Sequence, residues 1–191
     1  MTRYQSVIIY GILIVLNGII LMALSYNTSR AIQYSVGIGM ILAAIFAIIS
    51  SRKSKDYQIP MKYHAIHAGG MLAYGLAIFV LAIDIELFFN ITTFFLIYYG
   101  IVEIIFCLQL FILKTRIPLY VIVARMIVGL AISLGAVFIL AASEVDFSVA
   151  MLAAGLTFLF SGIIQAIFNN TLMRERAIPV EDEGITQVQQ S

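Results

Sequence analysis

Charged side chains are scarce in this chain of 191 residues. Asp, Glu, Lys and Arg together make up 11% of it, about half the share found in an ordinary soluble domain. Hydrophobic residues make up 62%, and nearly all of the charges stand in the gaps between long apolar segments. A soluble core would not need such segments, so the composition indicates an integral membrane protein.

Other absences narrow the function. Cys107 is the one cysteine, so the chain cannot form an internal disulfide and its redox compartment cannot be inferred. The net charge of +1 gives no reason to expect nucleic acid as a partner. No nucleophile, base and oxyanion-binding group form a recognisable motif, and the apolar segments leave no room for a soluble catalytic domain. We therefore expect a protein that is not an enzyme and has no cofactor.

Six apolar segments of about 20 residues or more determine the predicted fold class. At 1.5 Å per residue, a helix of this length crosses a hydrocarbon core of about 30 Å. The segments are residues 6–25, 31–50, 64–83, 91–113, 119–142 and 147–168. The sequence predicts an all-α, polytopic membrane protein with six transmembrane helices that lie in the lipid bilayer.

The six helices form an internal repeat of three helical hairpins. Glycines in the first helix of each copy (Gly18, Gly75 and Gly135) stand 57 and 60 residues apart, and those in the second helix (Gly39, Gly100 and Gly162) stand 61 and 62 apart. Because both sets of glycines recur at nearly the same spacing, the sequence indicates three copies of one structural unit. We predict hairpins at about 6–50, 63–113 and 118–169 within a membrane domain of residues 1–173.

The six repeat glycines have a mechanical interpretation. Helices in lipid have no hydrophobic driving force toward each other, so close backbone approach and dispersion contacts must hold them together. We predict that Gly18, Gly39, Gly75, Gly100, Gly135 and Gly162 are helix-packing residues. In each copy the first helix is expected to pack against the second.

Cations indicate the orientation in the membrane. Loops on one side carry nine Lys and Arg residues, whereas those on the other side carry Arg30 alone. The positive-inside rule then places both chain ends in the cytoplasm, in a plasma or bacterial inner membrane. Residues 174–191 are polar and include Glu181-Asp182-Glu183, which predicts a disordered cytoplasmic tail.

The glycine-bearing hairpins resemble a known family. Gly11 to Gly18 followed by Gly39, and Gly129 to Gly135 followed by Gly162, are similar to the HdeD-like membrane proteins built from the DUF308 short repeat. The resemblance covers residues 6 to about 169, and the Phe-rich middle copy matches least well. It implies an inner-membrane role in acid stress and transfers no catalytic residue to this chain.

Two charged residues break the repeat within the predicted helices. Glu103 aligns with Leu42 and Gln165 of the other copies, and Arg125 aligns with apolar residues. Either charge alone at a helix centre costs about 2.5–3.5 kcal/mol, so each needs a partner. Counted from the turn near residues 114–118, the two lie about 12 and about 9 residues deep, an axial offset of roughly 4–5 Å. We therefore predict an intramembrane Glu103–Arg125 ion pair.

Three roles are open to this pair. It could be a structural clamp that fixes the register of two helices, a titratable element on a proton or solute path, or a contact with a protein or lipid partner. A carboxylate beside a guanidinium stays ionised near neutrality, which argues against Glu103 as a proton carrier.

His64 and His67 stand three residues apart on one helix face. Three interpretations are open: interfacial contact, pH sensing through protonation near pH 6, and metal binding. Two histidines without a third ligand are a weak metal signal, and by residue counting Glu103 lies roughly 10 Å deeper than His67. We therefore predict no metal site.

Three functions remain for the whole chain. The first is a non-enzymatic membrane protein of the HdeD-like type, linked to acid or envelope stress. The second is an accessory subunit whose helices pack onto a larger membrane complex. The third is a small transporter or proton path that uses Glu103 and needs a hydrated cavity. Oligomeric state is left open by the sequence, and a homo-oligomer is compatible with all three.

Overall fold

Six α-helices make up almost all of the described part of the chain. The structure, a computed structural model, describes residues 3–27, 29–52, 62–81, 84–112, 118–141 and 146–174, which contain no strand. The helices are α1 (Arg3–Leu24), α2 (Arg30–Arg52), α3 (Lys62–Leu81), α4 (Ile85–Ile112), α5 (Leu119–Ala141) and α6 (Phe147–Arg174). Each is long and apolar enough to cross a membrane. For the described residues, the predicted all-helical fold with six helices long and apolar enough to span a membrane is confirmed.

Helices that are neighbours in sequence pack against each other, with one exception. Contacts join α1 to α2, α2 to α3, α3 to α4 and α4 to α5, and α6 closes the arrangement by packing extensively on α1. Helices α5 and α6 touch only slightly. Half of the α4 span is buried, the largest share of the six, so α4 is the most enclosed helix.

Helix α5 is attached to the bundle along a single stripe. From Ile122 onward its buried residues recur at intervals of three or four positions, with Val121 adjacent to the first of them: Val121, Ile122, Arg125, Gly129, Ile132 and Ala136. Large apolar side chains cover much of its remaining surface, including Ile127, Leu134 and Phe138. Such exposure suits a helix whose outer face lies in lipid.

The closest backbone approaches join helices of different repeat copies. A Cβ atom added to Gly18 would lie 2.6 Å from the Gly155 carbonyl oxygen, and one added to Gly162 would lie 2.7 Å from that of Gly11. These contacts bring α1 and α6 together antiparallel. A Cβ atom added to Gly75 would likewise lie 2.8 Å from the Gly37 carbonyl oxygen, and one added to Gly100 would lie 2.6 Å from that of Gly129. No side chain fits at such distances, so glycine is required for these approaches.

The expected packing within each copy holds in part: α1 packs extensively on α2, and α3 contacts α4. The closest glycine contacts nevertheless lie at α1/α6, α2/α3 and α4/α5, between helices of different copies. Gly39 does face its own copy, since a Cβ there would meet the Asn17 side chain on α1. The third copy differs most, because α5 and α6 touch only slightly.

Gly135 is not the packing residue that the repeat predicts. A Cβ atom added there would have no described atom within 4 Å, and the residue is exposed. Helix α5 turns Gly129 toward α4 instead. Gly135 follows six residues later, about 240° further around the helix, and therefore faces away from the bundle.

Some sequence-based predictions concern residues outside the described ranges. The predicted tail beyond Arg174 is among them, as are five of the nine cations that indicate the orientation: Lys53, Lys55, Lys114, Arg116 and Arg176.

Candidate functional site: a buried polar cluster

Glu103 on α4 and Arg125 on α5 form an ion pair in the interior. Nη2 of Arg125 donates to Oε2 of Glu103 at 2.6 Å, and Nε donates to the same oxygen at 3.1 Å. The two residues are only 5% and 2% exposed. The structure therefore brings together the two charges that break the repeat.

The glycine contact between α4 and α5 positions this pair. Gly100 and Gly129 bring the two backbones together. Glu103 follows Gly100 by three residues and Arg125 precedes Gly129 by four, so each charge lies one turn beyond the glycine of its own helix and on the same face. Because the helices are antiparallel, both charges lie on the same side of the contact and reach each other.

Tyr63 on α3 connects the ion pair to two further helices. Its hydroxyl donates to Oε1 of Glu103 and accepts from Nη2 of Arg125 at 2.5 Å. Nε2 of Gln165 on α6 donates to the same hydroxyl and also to Oε1 of Glu103, the latter at 3.1 Å. One carboxylate and one phenol therefore join α3, α4, α5 and α6.

Aromatic rings enclose the arginine. The guanidinium carbon of Arg125 lies 5.3 Å from the ring centroid of Tyr63 and 5.1 Å from that of Phe106. These two rings stack on each other with centroids 3.9 Å apart. A cation this close to ring faces gains a cation–π attraction that is largest where water is excluded. The cluster thus stabilises the buried cation through its carboxylate and through its rings.

His67 lies against the same carboxylate, so the predicted separation of roughly 10 Å is wrong. Its Nε2 atom is 3.7 Å from Oε1 of Glu103, and its side chain is fully buried. Only residues 82–84 join Leu81 of α3 to Ile85 of α4, so the helices are level at that end. Counted from there, His67 lies 14 residues deep and Glu103 18, a difference of about 6 Å.

The two histidines occupy different environments. The ring of His67 lies between those of Tyr63 and Tyr99, with centroid distances of 4.4 and 4.6 Å. His64 instead packs edge-on against Tyr10 at 6.3 Å and Tyr63 at 5.2 Å. His67 thus contacts Glu103 directly, whereas His64 contacts the cluster through the ring of Tyr63.

The cluster's chemistry is that of a neutralised ion pair with hydroxyl and amide partners. Among the residues that the structure describes, no three His, Cys, Asp or Glu side chains are close enough to hold a metal ion. A cavity of about 10 Å³ adjoins the pair and is lined by Glu103, Arg125, Val128, Ser161 and Ile164. Such a volume holds about one water molecule.

Comparisons with known proteins add no identification. No model of a protein family, no curated protein and no solved structure matches this chain. The resemblance to HdeD-like proteins therefore stays a prediction from the glycine pattern.

Sequence reasoning missed two main members of the cluster. Gln165 had a signal, because it occupies the same repeat position as Glu103, three residues after the shared glycine of the second helix. Tyr63 precedes His67 by four residues and therefore shares its helix face, but a tyrosine near a helix end is common enough to carry no signal of its own.

Proposed function

We propose that this chain is a non-enzymatic integral membrane protein of the HdeD-like type, acting in tolerance of acid or envelope stress. In this proposal the Glu103–Arg125 pair is a structural clamp. The nine cations on one side favour a plasma or bacterial inner membrane with both chain ends in the cytoplasm.

The enclosure of the ion pair is the observation that carries the clamp role. Both oxygens of Glu103 accept hydrogen bonds, from Tyr63, Arg125 and Gln165, and these four residues come from four different helices. Buried charges are retained when a partner and additional hydrogen bonds compensate for the loss of water. Each bond in this cluster also fixes the position of one helix relative to another.

A proton or solute path through Glu103 has less support. Such a path needs a hydrated cavity that reaches the carboxylate. The cavity lined by Glu103 and Arg125 holds about one water molecule, and every member of the ion pair already has charged and neutral partners. The same contacts that stabilise the pair oppose transfer of its proton.

An accessory subunit is the second candidate, and Gly135 favours it. Its repeat equivalents Gly18 and Gly75 make backbone contacts too close for any side chain, whereas Gly135 meets no described atom within 4 Å. Small residues on an outward helix face allow another helix to approach closely. In this alternative, a helix of a larger membrane complex covers the outer face of α5.

Two experiments test the proposal. A strain lacking the gene should lose viability after a shift to acid medium or after envelope stress, and the wild-type gene should restore it. Purification of tagged protein from its native membrane in mild detergent, with mass spectrometry, distinguishes the second candidate. A partner recovered in stoichiometric amount would replace the stress-protein proposal with the accessory-subunit one.

A further inference from the structure

A small cavity lies beside the ion pair, between α4, α5 and α6. Its walls come from three helices: Glu103 on α4, Arg125 and Val128 on α5, and Ser161 and Ile164 on α6. Direct contact between α5 and α6 is slight. Whatever occupies the cavity therefore touches the ion pair and α6 at once.

Size and charge together define what fits the cavity. Its volume is about 10 Å³, close to the space that one water molecule requires. A larger solute does not fit this volume, although Arg125 and Ile164 also line a separate, apolar cavity of about 170 Å³. A carboxylate and a guanidinium both face the cavity, so neither a cation nor an anion finds a purely attractive field. The ligand that fits is small, neutral and able both to donate and to accept hydrogen bonds.

Ser161 is an independent indication of a ligand here. The residue is 4% exposed, and its hydroxyl makes no hydrogen bond of normal geometry to the described residues, although the Tyr99 hydroxyl lies close to it. Buried hydroxyl groups are nearly always hydrogen-bonded to protein or ordered water. With Glu103 and Arg125, Ser161 supplies three polar groups around the cavity, within the two to four that a buried water uses.

We infer that this cavity is a binding site for one ordered water molecule, held by Ser161, Glu103 and Arg125. The water links α6 to the ion pair through hydrogen bonds at the position where α5 and α6 make few direct contacts. This site goes beyond the proposed function, because it does not depend on any role in stress tolerance.

Removal of the Ser161 hydroxyl tests the site, because the direction in which the unfolding midpoint changes depends on whether a water molecule is bound. If water bridges the hydroxyl to the pair, Ser161→Ala removes a made hydrogen bond and lowers the unfolding midpoint. If the hydroxyl is buried without any partner, the same change removes an unsatisfied group and leaves the midpoint unchanged or raises it. Because the Tyr99 hydroxyl lies close to Ser161, the comparison is made in a Tyr99→Phe background. A midpoint that Ser161→Ala lowers there supports the site, and an unchanged or raised midpoint overturns it.

A second variant separates water loss from cavity formation. Ser161→Val also lacks the hydroxyl, but its methyl groups occupy the cavity and displace the water. Crystals of the wild-type protein that diffract well enough to show ordered water should contain a density peak within hydrogen-bond distance of Ser161 Oγ, and crystals of Ser161→Val should lack it. Wild-type density without that peak would overturn the inference, whatever the stability of the two variants.

Discussion

Replacing Arg125 with methionine should destabilise the protein more than replacing both members of the ion pair. Arg125→Met removes two hydrogen bonds to Oε2 of Glu103 and one to the hydroxyl of Tyr63. It leaves a carboxylate that is 5% exposed with no cation bonded to it. Breaking a buried pair from one side costs about 3–5 kcal/mol, and we expect a loss of this size.

Replacing both charges should recover most of that loss. In Glu103→Leu/Arg125→Met no charge is left in the cluster, and exchange of a buried pair for apolar residues is often neutral or stabilising. The two single changes should therefore be non-additive by at least about 2 kcal/mol, within the usual range for residues in direct contact. The double-mutant cycle also requires the single variant Glu103→Leu, which leaves Arg125 without its carboxylate partner.

The single cysteine supplies the assay. Cys107 is fully buried on α4, so a thiol-reactive fluorophore reports when this helix unpacks. Unfolding of purified protein in mixed micelles, titrated with SDS, gives the free energy for each variant. Leu42→Met is a matched control, because Leu42 is the repeat equivalent of Glu103 but is 42% exposed. A double variant as unstable as the sum of the single losses would refute the clamp.

The same assay tests the remaining predictions. Tyr63→Phe keeps the ring but removes the hydroxyl that connects four helices, and should cost about 1–3 kcal/mol; a loss below about 0.5 kcal/mol would contradict its role. Gly100→Ala forces a Cβ against a backbone carbonyl and should cost about 1–3 kcal/mol. Its control, Gly135→Ala, should leave stability unchanged or raise it by up to about 1 kcal/mol, and equal losses would contradict the assigned α5 orientation. His67→Leu should not lower stability by more than about 1 kcal/mol, because neither ring nitrogen has a hydrogen bond among the described residues; a larger loss would show that the histidine holds the cluster.

Hydropathy predicts the number of helices well but their limits less well. Helix α4 begins at Ile85, six residues before the apolar segment that starts at 91. The sequence between contains Glu86 and Asn90, which lower its hydropathy. Asp84 explains the earlier start, because its carboxylate accepts a hydrogen bond from the backbone N–H of Leu87 at 2.7 Å and so caps the helix.

The depth of a residue in the bundle can be estimated by counting residues from the turn that joins two helices, provided that the turn is short. Residues 113–118 join α4 to α5, and counting from them gives Glu103 and Arg125 similar depths. Nine residues separate α2 from α3, and counting from that longer loop gives His67 the wrong depth relative to Glu103. Counting from the three-residue connection at 82–84 instead gives His67 a depth close to that of Glu103, in agreement with their contact.

Glycine spacing predicts close helix contacts without naming their partners. Gly100 could have faced α3 of its own copy or α5 of the next, since both are neighbours in sequence. The structure pairs it with Gly129 on α5. The rotation of each helix about its axis decides the partner, and that rotation depends on the contacts of all six helices together.

Survival of a gene-deletion strain that carries Glu103→Leu/Arg125→Met shows whether the buried charges are needed for more than stability. We propose that the ion pair acts only as a clamp in a stress-tolerance protein. We therefore expect the strain without the gene to die after acid or envelope stress, and the double apolar variant to restore survival as the wild type does. A double variant present in the membrane at wild-type level that fails to restore survival would contradict it, because the charges would then be needed for more than stability.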